Sequence, residues 1–133
     1  MNKLFEILRT NRLGYLATID KGRPCVRPFG IHILSSGQLG FVTANTKNVY
    51  RQLVEEPWIE IAILTHDMIT IRIQGEIEFV EDVEEVKTIM KESPQMQQKY
   101  RSADNPILVL FTLKQGIAVA RDMSGKELLR YNI

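Results

Sequence analysis

Two short segments carry residues whose types are hard to explain by packing alone. The first is Val26-Arg27-Pro28-Phe29-Gly30-Ile31, and the second is Phe41-Val42-Thr43-Ala44-Asn45-Thr46-Lys47-Asn48. Arg27 alternates in phase with Cys25, Phe29 and Ile31, a mostly apolar set, so its guanidinium needs a partner. That partner is either a carboxylate in an internal ion pair or a phosphate gripped through two N–H groups. In the second segment a strand pattern gives way to a helix. A helix start offers unpaired backbone N–H groups and the positive end of the dipole, both suited to an anion. Lys47 falls in the first helical turn, where its charge opposes that dipole; a bound anion removes the conflict. Thr43 and Asn48 add neutral hydrogen bonds. The competing reading is a plain surface helix capped by Asn45 or Thr46. Pro28 and Gly30 both weaken a strand, and so mark an edge, a bulge, or a place where a flat ring lies against the backbone.

The remaining candidates are fewer. Gln74 and Arg72 stand on the polar face of a strand, which is either solvated or, if two subunits pack across it, aimed into the neighbour's cavity. His32 and His66 have strand or strand-end contexts that suit packing or surface roles. With one cysteine and two separated histidines, the sequence offers no zinc spacing, and no metal is expected. Neither a Walker loop nor a GxSxG elbow is present. Cys25 reads as packed rather than nucleophilic, and no residue stands out as a catalytic acid or base.

The elements that position these residues follow from hydrophobic period. Leu4, Ile7 and Leu8 predict a helix over residues 2–11. Leu13, Tyr15, Ala17 and Ile19 alternate with Gly14, Leu16 and Thr18, and Asp20-Lys21-Gly22 supplies a turn into a second strand, about 24–34. Leu39–Ala44 is a third strand. Val49 and Leu53, Tyr50 and Val54 mark a helix that Pro57 stops. Ile59, Ile61 and Ile63 form a fourth strand. In the fifth, Ile69, Ile71, Ile73, Ile77 and Phe79 face one way, with Arg72, Gln74 and Glu76 opposite. A helix through Val86 and Met90 ends at Pro94, and a short helical or irregular piece runs to Tyr100. Strands near 106–114, 116–121 and 127–132 follow. The pattern is mainly β: an antiparallel barrel, closed or nearly so, with peripheral helices, in a single domain over residues 1–133.

Composition narrows the function. Over 133 residues, 17 basic and 16 acidic side chains leave a formal charge of +1. That balance gives no broad footprint for nucleic acid or an anionic membrane, whereas a small phosphate ligand needs only a local basic cluster. The lone cysteine fits a reducing compartment, no stretch approaches a membrane span, and a cytoplasmic protein is expected. Strands this rich in Ile, Val and Leu on a small barrel should leave apolar surface uncovered, which favours an isologous dimer.

Taken together, GYLATIDKGRPCVRPFGIH, LGFVTANTKNVYRQLVEEPWIEIAI and IRIQGEIEFVED resemble the pyridoxamine 5′-phosphate oxidase-like family of flavin-binding split barrels, over roughly residues 5–115. The resemblance implies a six-stranded split barrel and a homodimer with two flavin mononucleotides (FMN) at its interface. It assigns Arg27 and Lys47 to the FMN phosphate, Pro28, Phe29, Gly30 and Ile31 to the backbone beside the ring, Thr43 and Asn48 to polar groups around the phosphate, and Gln74 to a contact from the other subunit. Unlike true pyridoxamine phosphate oxidases, the sequence stops at Arg130-Tyr131-Asn132-Ile133 with no basic terminal segment, so vitamin B6 oxidation is not expected. The expected function is an FMN-dependent oxidoreductase, flavin reductase-like, passing hydride from a reduced nicotinamide such as NAD(P)H through the flavin to a small acceptor. Alternatives are a flavin- or haem-binding sensor or storage protein without turnover, a deazaflavin binder, and an oligonucleotide-binding barrel, the last opposed by the charge balance.

Overall fold

The structure is a computed structural model that describes residues 2–133. Its elements in chain order are α1 (Asn2–Thr10), β1 (Leu13–Asp20), β2 (Arg23–Gly30), β3 (His32–Ile33), β4 (Leu39–Ala44), α2 (Asn48–Glu55), β5 (Trp58–Leu64), β6 (Thr70–Val80), α3 (Val83–Lys91), α4 (Pro94–Tyr100), β7 (Leu108–Arg121) and β8 (Glu127–Asn132). The β1–β2 connection is a two-residue hairpin in which Lys21 (φ 52°) and Gly22 (φ 80°) both take positive φ, the geometry that matches strand twist.

All strands form one antiparallel sheet in the order β2-β1-β5-β6-β7-β4-β3, with β8 added along β7. The outermost strands of that order, β2 and β3, are joined through the single residue Ile31. The sheet must therefore curl to bring its two edges toward each other, which makes a half-barrel. Phe29 of β2 closes the curl by packing on Phe41 of β4 (centroids 6.1 Å apart) and Phe111 of β7 (5.9 Å). Inside lie Leu16, Phe41, Ile61, Ile71, Ile73 and Phe111, each fully buried, capped by Leu4 and Leu8 of α1 and by Leu53 of α2. A second cluster, with Val86, Ile89, Met90 and Tyr100, holds α3 and α4 against the outside of β4 and β7.

Several expectations need correction. The mainly-β split barrel stands, and the two-residue β3 and the added β8 bring the strands of its sheet from the six expected to eight. The segment 24–34 is broken at Ile31, whose N–H donates to the Arg12 carbonyl at 2.8 Å. The pieces near 106–114 and 116–121 are one strand, β7, since Gly116 continues the ladder opposite Gly75 instead of turning. Those facing glycines allow a close approach: a Cβ on Gly75 would lie 2.0 Å from the Gln115 carbonyl oxygen. Just beyond, the register shifts at a bulge between Glu76 and Ile77; Ile77 stays buried on the inward face, and Phe79 on the same face lies 6.2 Å from Phe111 while remaining 39% exposed. Pro94 ends nothing by itself. It is the first residue of α4, and Ser93 caps that helix through the Met96 N–H.

Candidate functional site

Arg27 lies on the inward, half-buried side of β2, as its phase suggested. Its Nη1 donates to the Thr18 hydroxyl at 2.7 Å and to the Leu16 carbonyl at 3.2 Å, and its Nη2 donates to the Gln52 side-chain oxygen at 2.8 Å. The Thr18 hydroxyl in turn donates to that same oxygen at 2.6 Å. All of these acceptors are neutral. The internal ion pair weighed from the sequence does not form: among the described residues no carboxylate lies within salt-bridge reach of Arg27. Burial lowers its pKa from the ordinary arginine value, yet the group remains a cation. The result is a partly desolvated positive charge, held in place but not cancelled.

The network ties β1 and β2 to α2, and it exposes what the sequence reading passed over. Gln52 is 4% exposed and Thr18 is 2% exposed. Gln52 lies beside Leu53 and three residues after Val49, on the buried stripe of α2, so a polar residue at that spacing was the available signal. Cys25 is half-buried, takes a long 3.8 Å contact from the Gln52 amide, and is free.

The start of α2 also differs from expectation. Its N-cap is Lys47, in extended conformation and making no side-chain cap bond, while Asn45 and Thr46 lie before it in the turn. The chain turns back first: Asn45 N–H bonds the Ile107 carbonyl at 2.8 Å and Lys47 N–H bonds the Ala44 carbonyl at 3.0 Å. The amides of Asn48 and Val49 have no intrahelical carbonyl to bond. Lys47 and Asn48 are exposed, and among the described residues no carboxylate pairs with Lys47. Arg51, one turn on, is spent on Asp20 at 3.1 Å. Thr43, at the end of β4, is 3% exposed, and its hydroxyl has no partner. Gln52 lies five residues beyond Lys47, about 7.5 Å along the helix axis. Arg27 and the helix opening therefore share one element without meeting at one point.

The other site residues divide by face. Phe29 and Ile31 point inward, whereas Pro28 is exposed, opposite Tyr15. Because β2 is an edge strand, half of its backbone groups face away from β1, which is where Pro28 and Gly30 are tolerated. Gln74 is exposed on the outer face of β6, separated from β2 by β1 and β5, three strand spacings or about 14 Å away. Arg72 beside it is paired with Glu60 at 2.8 Å.

Gln74 lines a cavity of about 650 Å³. The β1–β5 ladder covers only Tyr15–Ala17. Past its end the cavity is also lined by Thr18, Ile19, Pro24, Trp58 and Gln115. Around it the outer face is apolar: Leu13, Tyr15, Val26, Trp58 and Leu64 are each between 49% and 68% exposed. Among the described residues, no helix is long and apolar enough to cross a membrane, and no cluster of metal-ligating side chains occurs.

Comparison with known proteins agrees with this architecture. The family described as pyridoxamine 5′-phosphate oxidase matches residues 1–119. A NimC/NimA family protein from Clostridium acetobutylicum is similar at 26% identity, covering 100% of this chain and 92% of that one with a TM-score of 0.86. A pyridoxamine 5′-phosphate oxidase-related, FMN binding protein from Nostoc punctiforme shares the fold at 16% identity (99% and 95% covered, TM-score 0.65). So does HutZ, the haem storage protein from Vibrio cholerae, at 15% identity (84% and 87%, TM-score 0.67). Among curated proteins, none matches the sequence.

Proposed function

Because the chain belongs to the pyridoxamine 5′-phosphate oxidase family, we propose that it binds FMN as a homodimer and acts as an oxidoreductase toward a small acceptor. The observation that carries this reading is Arg27, a partly buried cation whose described partners are all neutral. A fold seldom keeps such a charge without an anion to meet it. Lys47 at the uncapped opening of α2 and the unpartnered hydroxyl of Thr43 add a second cation and a hydrogen-bonding group. These groups fit a phosphate. Arg27 and Lys47 would balance its charge, with Asn48 adding its amide and side chain. The free edge of β2, from Pro28 to Gly30, offers backbone groups to a flat ring, although the Ile31 N–H is already spent on Arg12.

Gln74 supports the dimer. It lies on the opposite face from Arg27, so one molecule reaches both only if a second copy presents its own β6. The exposed apolar face around Tyr15, Val26 and Trp58 is what such a copy would cover. Bound flavin supplies two-electron redox chemistry, while the chain's own residues fix its charge and position. NAD(P)H as donor and a cytoplasmic setting belong to the same proposal.

The test is the visible spectrum of freshly purified protein, followed by titration with FMN and by sedimentation. Oxidised-flavin bands, bleaching under reduced nicotinamide without oxygen, and a dimer mass are expected. A Soret band would favour haem storage, which the apolar walls of the large cavity would also accommodate. Failure to bind FMN, or a clean monomer, overturns the reading.

A further inference from the structure

Between α3 and the sheet lie two adjoining clefts that share Val80, Asp82 and Leu110 and are lined by neither Arg27 nor Lys47. The smaller, about 230 Å³, is lined by Ser35, Gln38, Asp82, Glu85 and Thr112. The larger, about 480 Å³, runs from the Tyr50–Phe79 pair (centroids 5.3 Å apart) past Val83 to Leu108 and Val109. No basic side chain lines either cavity, and Glu81 and Asp104 add carboxylates to the larger one.

Glu85 is 9% exposed. One of its oxygens accepts from the Ser35 N–H at 2.9 Å and from the Ser35 hydroxyl, and among the described residues no cation pairs with it. Glu85 also borders a cavity lined by Arg9, Arg12 and His32, where Arg12 pairs with Glu92 at 2.7 Å and none of the three pairs with Glu85. Asp82 uses one oxygen to cap α3 through the Glu85 N–H at 3.2 Å. Thr112 is 1% exposed, lines the same small cavity, and its hydroxyl has no partner. Burying a carboxylate without a cation and a hydroxyl without a partner are each costly. A ligand rich in hydrogen-bond donors and positively charged offsets both.

We propose that this double cavity binds a primary ammonium with a short apolar tail. The ammonium carries three N–H donors, which match Glu85, Asp82 and Thr112. The tail runs out between Tyr50, Phe79 and Val83, where apolar burial adds affinity. Nothing in this assignment depends on flavin, whose phosphate calls for the opposite charge.

Calorimetric titration of the full chain with n-hexylammonium chloride tests it, with hexanol and hexanoate as probes of tail and charge. Hexylammonium should bind while hexanol and hexanoate do not. Thr112→Val keeps shape and removes only the unpartnered hydroxyl, so the free protein should hold or gain stability while hexylammonium binds roughly tenfold more weakly. Glu85→Gln should weaken it at least as much; if that variant misfolds, Thr112→Val decides. Absence of hexylammonium binding, equal binding of hexanol, or full binding by Thr112→Val overturns the proposal.

Discussion

Replacing Arg27 by methionine should cost little stability, and replacing its neutral partner Gln52 by leucine should cost more. Arg27→Met keeps much of the side-chain volume and deletes three hydrogen bonds, at 2.7, 2.8 and 3.2 Å. Each contributes about 0.5–1.5 kcal/mol net, and solvent screening around a half-buried guanidinium pulls these toward the low end. Against that loss stands the relief of burying a cation whose pKa burial already lowers. Nothing important is stranded, because the Thr18 hydroxyl still donates to Gln52 at 2.6 Å. The expected net cost is about 1 kcal/mol or less. Gln52→Leu removes the oxygen on which both Arg27 and Thr18 converge, leaving a guanidinium N–H and a buried hydroxyl without their acceptor, at about 2–3 kcal/mol. In the double variant the guanidinium is gone as well, so the combined cost should fall below the sum of the two by roughly 1 kcal/mol. Urea unfolding of all four proteins, with unchanged m-values, measures each quantity. FMN affinity of Arg27→Met should meanwhile fall at least about tenfold, the worth of a charge-assisted bond. Should Arg27→Met prove costlier than Gln52→Leu, or bind FMN like the parent, the charge is a structural tie and the argument fails.

Three further perturbations probe other parts of the chain. Lys47→Ala should leave stability within about 0.5 kcal/mol, since a cation at a helix start contributes nothing favourable, yet weaken FMN roughly tenfold by fluorescence titration. His32 has its pKa lowered from 6.5 by burial first and then by Arg12, with Glu92 opposing. The unfolded chain therefore binds this proton more readily, and stability should decline as pH falls below about 6.5 toward the depressed folded value. Denaturant midpoints across that range should show the decline in the parent and less of it in His32→Gln. Gly75→Ala places a Cβ 2.0 Å from the Gln115 carbonyl oxygen and 2.6 Å from the Gly116 Cα, contacts that only backbone movement relieves. A loss of about 3 kcal/mol or more is expected from thermal unfolding, and a small shift would mean the β6–β7 ladder yields easily.

Local pattern was enough to place most elements. The alternation of Ile59, Ile61 and Ile63 survives as the buried face of β5, and the stripe of Val49 and Leu53 as that of α2. Such periods are legible because each side chain's face depends only on its neighbours along the chain. Phe79 shows the limit. Its phase is right, with Ile77 3% exposed and the Phe79 ring 6.2 Å from that of Phe111, but its own 39% exposure and the register shift beside Ile77 depend on β7, which lies more than thirty residues away. The helix cap failed for a similar reason, since Asn45 is drawn off by the Ile107 carbonyl of a distant segment.

The amino-acid order by itself determined most of the strands and helices, the apolar phase of Arg27, and the cation at the opening of α2, because these need only spacing along one chain. Tertiary structure alone decided that Arg27 meets Thr18 and Gln52 rather than a carboxylate, and that three strand spacings separate Gln74 from β2. The same holds for Glu85 and Thr112, which come from α3 and β7 to share one cavity. Partners across a curled sheet are set by register and curvature, and those are properties of the whole fold, which no local window contains.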